Sequence, residues 1–354
     1  MEDPITADAL LEGLWSHKSQ PEDFAKLSNE QEREKALDVL IAMVTDPHPW
    51  YRERAIKALE VLRDRRAVEP LIASLAADES DFDNESNLLE AKVDALVAIG
   101  DPEAILPLLS DDRVHTDWVL RRKLLEFGKE DLLHVLSEAT TRPDDSLREL
   151  SLSVLGYIND PRSVKLLIEA LDDQKASIRS QSVFYLGQLM ATESVPFLLS
   201  HAVDVDTKVR QYTAIALGKL GDTQAVPALL PLLNDQEQSI RFHAAIALGK
   251  LGDSSGLELI RDYIAVGYDS SHVYLDDALE ALKTLRAPAV PLLINLTNKL
   301  LQGREHDLNL LALVAEILGE QGDAAALEVL EKMLAIKIKS VRQAAQQAIA
   351  KIRK

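Results

Sequence analysis

The sequence predicts an all-α protein, a right-handed α-α superhelix of about nine to ten stacked helical hairpins. Three observations carry this expectation. Arg148, Arg179, Arg210 and Arg241 stand 31 residues apart. Gly156, Gly187, Gly218 and Gly249 keep the same interval. Between these markers apolar residues recur at helical spacing, and Gly221-Asp222 and Gly252-Asp253 punctuate the ends. Self-similarity at a fixed period of roughly 20–50 residues is the signature of an array in which each unit contacts only its neighbours.

In chain order, residues 1–30 read as an irregular amphipathic cap, and residues 31–354 as the repeat array. Residues 46–75 are a recognisable copy, with Arg52 and Pro70 in place, and 90–109 are another. Residues 117–136 keep only Gly128 and the apolar rhythm. The array is most regular over 145–264. There Val209, Thr213, Ala216, Leu217 and Leu220 share one face of a helix. Gly221 then occupies the place of a left-handed cap, Asp222 caps the return helix, and Pro227 falls in its first turn. Residues 276–296 and 310–334 continue the array. Residues 339–354 form a last single helix rich in Gln and Lys, a polar terminal unit.

Ala and Leu dominate and aromatics make up 5% of the 354 residues, a composition suited to closely packed helices. A formal net charge of −19 argues against general binding to nucleic acid or anionic membranes. With no cysteine, disulfides, thiolate catalysis and Cys-ligated metal centres are excluded within the chain. The start "MEDPITADALLEGLW" lacks the features of a signal peptide. No stretch reaches the ~18 apolar residues of a membrane span. These features read as a soluble, cytoplasmic protein. The insertion 77–86 carries Asp78, Glu79, Asp81, Asp83 and Glu85, but the EF-hand pattern counted from Asp81 fails at Ser86 and Lys92. It reads as a solvated loop.

The recurring Val-Arg, Ala-Leu-Gly, Gly-Asp and Val-Pro steps resemble the short HEAT-like repeat of the phycobilisome-lyase type. The resemblance is strong over 145–264 and fair over 46–109 and 276–354. It implies a helical superhelix. Proteins with such repeats include E/F-type phycobilin lyase subunits, phycobilisome degradation factors, a branch associated with iron–sulfur assembly, and many adaptors, so the resemblance leaves function open. Deoxyhypusine hydroxylase is a second relative, with His-Glu pairs directly after the repeat Arg. Here those positions read Glu149-Leu150, Ser180-Gln181, Gln211-Tyr212 and Phe242-His243, and His-Glu occurs nowhere. That enzyme is rejected.

No catalytic constellation emerges. The histidines, at 17, 48, 115, 134, 201, 243, 272 and 306, include no i, i+3 or i, i+4 pair, so no helical metal site is expected. No nucleophile elbow, P-loop or dinucleotide turn is present. Asp173, Asp204 and Asp235 lie six residues before Arg179, Arg210 and Arg241. Together with Arg148 they suggest a structural Arg–Asp ladder between neighbouring repeats.

Taking each Arg as the origin of a helix turning about 100° per residue, offsets −1, +3, +6 and +7 form the core. Offsets +1, +2, +5 and +9 fall on the other side, where a solvated helix carries charge. Beside Glu149, Leu150, Ser153, Ser180, Gln181, Gln188 and Gln211, that sector holds Tyr157, Phe184, Tyr212, Ile215, Lys219, Phe242, His243, Ile246 and Lys250, so that aromatics or Ile of four consecutive units lie side by side. Contiguous exposed apolar surface marks a binding site. The first reading is therefore a non-catalytic scaffold or adaptor that grips another protein with a concave helical face and needs no cofactor. Lys219 and Lys250 at the strip's edge suggest a partner with some negative charge. The alternative is a phycobilin lyase subunit or tetrapyrrole-handling chaperone, with chromophore attachment or removal as its chemistry and a bilin cradled by the aromatics. Self-association is not decided by the sequence.

Overall fold

The computed structural model describes residues 5–75, 85–158, 160–266, 275–302 and 308–354. The described residues are helical or connecting, without a strand. The chain divides into two compact units, Met1–Ala170 and Leu171–Lys354.

The first unit opens with α1 (Ala7–Trp15) and α2 (Glu30–Met43), each started by a side-chain cap, Thr6 and Asn29. Then follow α3 (Pro49–Leu62), α4 (Val68–Leu75), α5 (Glu85–Ile99), α6 (Ile105–Leu109), α7 (Asp112–Thr116), α8 (Trp118–Lys123), α9 (Lys129–Ala139), α10 (Asp145–Leu155) and α11 (Pro161–Glu169). Arg54 of α3 locks the amino-terminal segment in place, with Nε donating to Leu14 O and Nη2 to Ser19 O. Of the acidic insertion 77–86 expected to be a loop, residues 77–84, with Asp78, Glu79, Asp81 and Asp83, lie outside the described residues, while Glu85 and Ser86 begin α5.

The second unit comprises α12 (Ala176–Gln188), α13 (Val195–His201), α14 (Thr207–Leu220), α15 (Val226–Leu229), α16 (Gln238–Lys250), α17 (Leu257–Val266), α18 (Leu275–Leu285), α19 (Val290–Gln302), α20 (Leu308–Gln321), α21 (Leu327–Met333) and α22 (Lys339–Ile352). Helices α12, α14, α16 and α18 pack side by side, as do α20 and α22. The expected core offsets are buried: Ile178, Val209 and Ile240 before each Arg, and Leu186, Leu217 and Leu248 seven residues after it.

The repeated glycines have two jobs. Gly221 and Gly322 adopt φ +74° and +73° and close their helices in the left-handed conformation, which a side chain would strain. Gly187, Gly218, Gly249 and Gly319 lie inside helices and let backbones approach. A β-carbon on Gly218 would come within 2.8 Å of both Cα and Cβ of Ala247. Gly187 meets Ala216 in the same way, 29 residues on. Gly249 meets Ala281, 32 residues on, so the register slips by three residues as α18 joins the row.

Candidate functional site

The repeat arginines bind in two directions. Arg179 Nη1 donates to the carbonyls of Asp173 and Gln174, tying its helix to the turn that precedes it. Its Nε and Nη2 form a fork on Asp204, both at 2.8 Å. Arg210 repeats this, with Nη1 on the carbonyls of Asp204 and Val205 and the fork on Asp235 at 2.8 and 3.2 Å. The same aspartates cap their own turns: Asp204 accepts from the Asp206 amide, Asp235 from Glu237, and Asp173 from Lys175. Burial raises the Asp204 pKa, but the Arg179 fork and the Asp206 amide outweigh it, and its carboxyl lies below the usual range. Asp235 is held low chiefly by the Arg210 fork. Each Arg thus reaches across to the aspartate preceding the next Arg, and charge-assisted bidentate bonds fix one hairpin against the next.

Arg241 keeps the first half of this arrangement, donating from Nη1 to Asp235 O and Gln236 O. The next aspartate of the series would fall at position 266, which is Val266. Arg148 donates to Arg142 O and Asp145 Oδ1, each at 2.7 Å.

The apolar strip splits. Phe184 on α12 is 39% exposed, and its ring lies 5.7 Å from Tyr212 on α14 and 5.3 Å from Tyr185. Tyr212 and Ile215 are half-buried. Lys219 is exposed, and its Nζ donates to Gln188 Oε1 at 2.6 Å, bridging α14 to α12. These residues make one solvent-facing patch.

Phe242, His243 and Ile246 do not join it. They are 5%, 5% and 6% exposed. The helical phase is right, but two neighbours cover this face of α16. Tyr263 of α17 stacks on Phe242 with ring centroids 3.6 Å apart, and Phe242 and Ile246 enter the apolar cluster that contains Leu279 and Leu282 of α18. His243 Nδ1 contacts Ser239 O at 2.6 Å, and burial pushes its pKa down. Lys250 is also withdrawn: its Nζ meets Asp277 at 2.6 Å and Glu280 at 2.9 Å. It therefore gives the patch no uncompensated positive charge. Tyr157 is 65% exposed but belongs to the first unit.

Two features escaped the sequence reading. Tyr185, assigned to the core, edges the patch beside Phe184. In the first unit Trp15, His17, His48, Trp50 and Tyr51 form an aromatic cluster, each ring within 5.6 Å of a neighbour, with the Arg54 guanidinium 5.0 Å from the Trp50 ring centroid. The run "HPWYRER" was its signal. Among the described residues no group of three or more His, Asp or Glu is placed to hold a metal. His272 and His306 lie outside those residues. No described helix is long and apolar enough to cross a membrane.

The sequence pattern of HEAT repeats matches residues 132–207 and 195–283, and that of the PBS lyase HEAT-like repeat matches residues 51–77. The chain is a HEAT-like repeat protein. Among solved structures, this HEAT-like chain is similar to the karyopherin Kap121p bound to the extreme C-terminus of the protein phosphatase Cdc14p, at 15% identity and TM-score 0.60. It is similar to Kap121p bound to Nup53p at 14% identity and TM-score 0.59. Each match covers 98% of this chain and 45% of the karyopherin, and the likeness is one of fold. The complex of CpcE and CpcF of phycocyanin lyase from Nostoc sp. PCC7120 matches at 22% identity and TM-score 0.39, covering 62% of this chain and 94% of that one. No curated protein matches the sequence significantly.

Proposed function

We propose that this HEAT-like repeat protein is a non-catalytic scaffold that binds another protein through the patch formed by Phe184, Tyr212, Ile215 and Lys219. The observation that carries the reading is the solvent-facing aromatic pair on adjacent repeat helices, Phe184 beside Tyr212. Aromatic side chains dominate binding energy at interfaces, and a half-exposed pair has apolar area left to bury. The backing is stiff. The Arg179–Asp204 fork and the Gly187–Ala216 contact tie α12 to α14, and the Arg210–Asp235 fork ties α14 to the turn before α16, so little order is lost on docking. The similar karyopherin chains are each bound to another protein, Nup53p in one structure and the extreme C-terminus of Cdc14p in the other, which is in keeping with this reading.

The test is affinity purification from the source cells with wild type and a Phe184→Ser/Tyr212→Ser double variant. A protein retained by the wild type and lost with the double variant supports the scaffold. Equal recovery with both refutes the site.

A tetrapyrrole-handling role is the second reading, favoured by the PBS lyase HEAT-like repeat at residues 51–77. On this reading Phe184 and Tyr212 flank a bilin without Phe242, whose face is covered by Tyr263. Visible absorbance that co-elutes with the purified protein and shifts on binding supports it. A featureless visible spectrum after incubation with a free bilin counts against it.

A further inference from the structure

Positive charge is unevenly distributed along this acidic chain. Against a formal net charge of −19, residues 333–354 carry Lys337, Lys339, Arg342, Lys351, Arg353 and Lys354 and no Asp or Glu. The fold places part of this run at a cleft of about 770 Å³. The cleft lies between the end of α19, the start of α20 and the connection from α21 to α22. Leu301, Leu308, Ile336 and Ile338 line it, with two amide side chains of α19 and with Lys332 and Lys337. Ile338 is 41% exposed, and Lys332 and Lys337 are exposed. Lys332 has one ion-pair partner on its own helix, Glu328 at 2.7 Å. Lys337, Lys339 and Arg342 form no ion pair among the described residues. An apolar recess with two lysines at its rim, one of them (Lys337) without an ion-pair partner among the described residues, is thus set into a protein of opposite overall sign.

We propose that this cleft is a second docking site, distinct from the α12–α14 patch, and that it takes an acidic amphipathic peptide segment of a partner protein. Apolar side chains of the segment seat on Leu301, Leu308, Ile336 and Ile338. Its carboxylates face Lys332 and Lys337, with Lys339 and Arg342 beyond. The apolar lining separates this occupant from a phosphate polymer, which has no apolar side chain to seat there. The acidic remainder of the chain also repels an extended polyanion or an anionic membrane, whereas a short peptide stays within the cationic zone. Rim lysines steer such a segment, and the recess holds it.

The test is fluorescence anisotropy on the full chain, with a short fluorescein-labelled peptide made only of Leu and Glu as probe. We expect saturable binding that weakens as salt rises from about 50 to 300 mM. Lys332→Glu/Lys337→Glu and, separately, Ile338→Ser should each weaken it by about tenfold or more. Lys337→Gln, the mildest change, should lie between wild type and the double variant. Phe184→Ser should bind the probe as wild type does, so the two sites fail or stand independently. The proposal is overturned by absence of saturable binding, by equal affinity of wild type and variants, or by an all-Glu peptide binding as well as the Leu/Glu one. Lysine-dependent binding of single-stranded DNA or anionic vesicles tighter than that of the peptide would also overturn it.

Discussion

Phe184 and Phe242 occupy related faces of equivalent helices, yet their truncation should have opposite consequences. Phe242 is 5% exposed and stacked on Tyr263, so Phe242→Ala removes a full ring from a packed site. Such a change costs roughly 3–5 kcal/mol, since the lost burial is compounded by the cavity left behind. Phe184 already shows 39% of its surface to solvent. Phe184→Ala is expected to cost about 1 kcal/mol. Urea unfolding followed by far-ultraviolet circular dichroism separates the two. Tryptophan fluorescence would not serve, because all three tryptophans, Trp15, Trp50 and Trp118, lie in the first unit. Repeat arrays need not unfold in one step, so the comparison rests on the midpoint of the affected transition. A Phe184→Ala midpoint as depressed as that of Phe242→Ala would show that Phe184 is core, and the docking surface would lose its anchor.

Further consequences follow from the packing and the charges. Gly218→Ala forces a β-carbon to within 2.8 Å of the Ala247 backbone and should destabilise by about 1–3 kcal/mol, measured in the same urea series. Arg210→Ala leaves the Asp235 carboxylate without its fork and should lower stability by about 1–3 kcal/mol at neutral pH. Because the folded pKa values of Asp204 and Asp235 are depressed, their contribution is present above the unfolded value of about 3.9 and is lost as pH falls through the folded values. Denaturation midpoints of wild type and Arg210→Ala should therefore converge on acidification. His243 behaves differently. Burial lowers its folded pKa, so below about pH 6.5 the unfolded chain takes up a proton that the folded chain resists. Wild-type stability should fall as pH drops through the unfolded value of about 6.5, and this dependence should weaken in His243→Gln.

The repeat architecture was legible because it is written as a period. The Arg and Gly intervals located the hairpins, and the Asp series located what the arginines grip, as the Arg179–Asp204 and Arg210–Asp235 pairs illustrate. The surface was less legible because exposure depends on neighbours that a single helix does not encode. At Phe184 nothing covers the ring completely, whereas at Phe242 the same sector is closed by Tyr263 and α18. The three-residue register slip between Gly249 and Ala281 shows that the strict period ends there. Lys250 was misjudged for a related reason. Its partners Asp277 and Glu280 lie beyond the regular copies, where periodic reasoning no longer places them. The packing role of the internal glycines was not legible either, because only the facing Ala of the next repeat reveals the close approach.

Site-specific photo-crosslinking tests the central claim most directly. A benzophenone amino acid placed at position 184 in the source cells, with position 197 on α13 as the comparison, reports what touches each face. Phe197 is 52% exposed, so both probes are accessible. The account predicts a covalent adduct with one predominant polypeptide from position 184 and not from 197. No polypeptide adduct at 184, or the same adduct pattern from both positions, would contradict it.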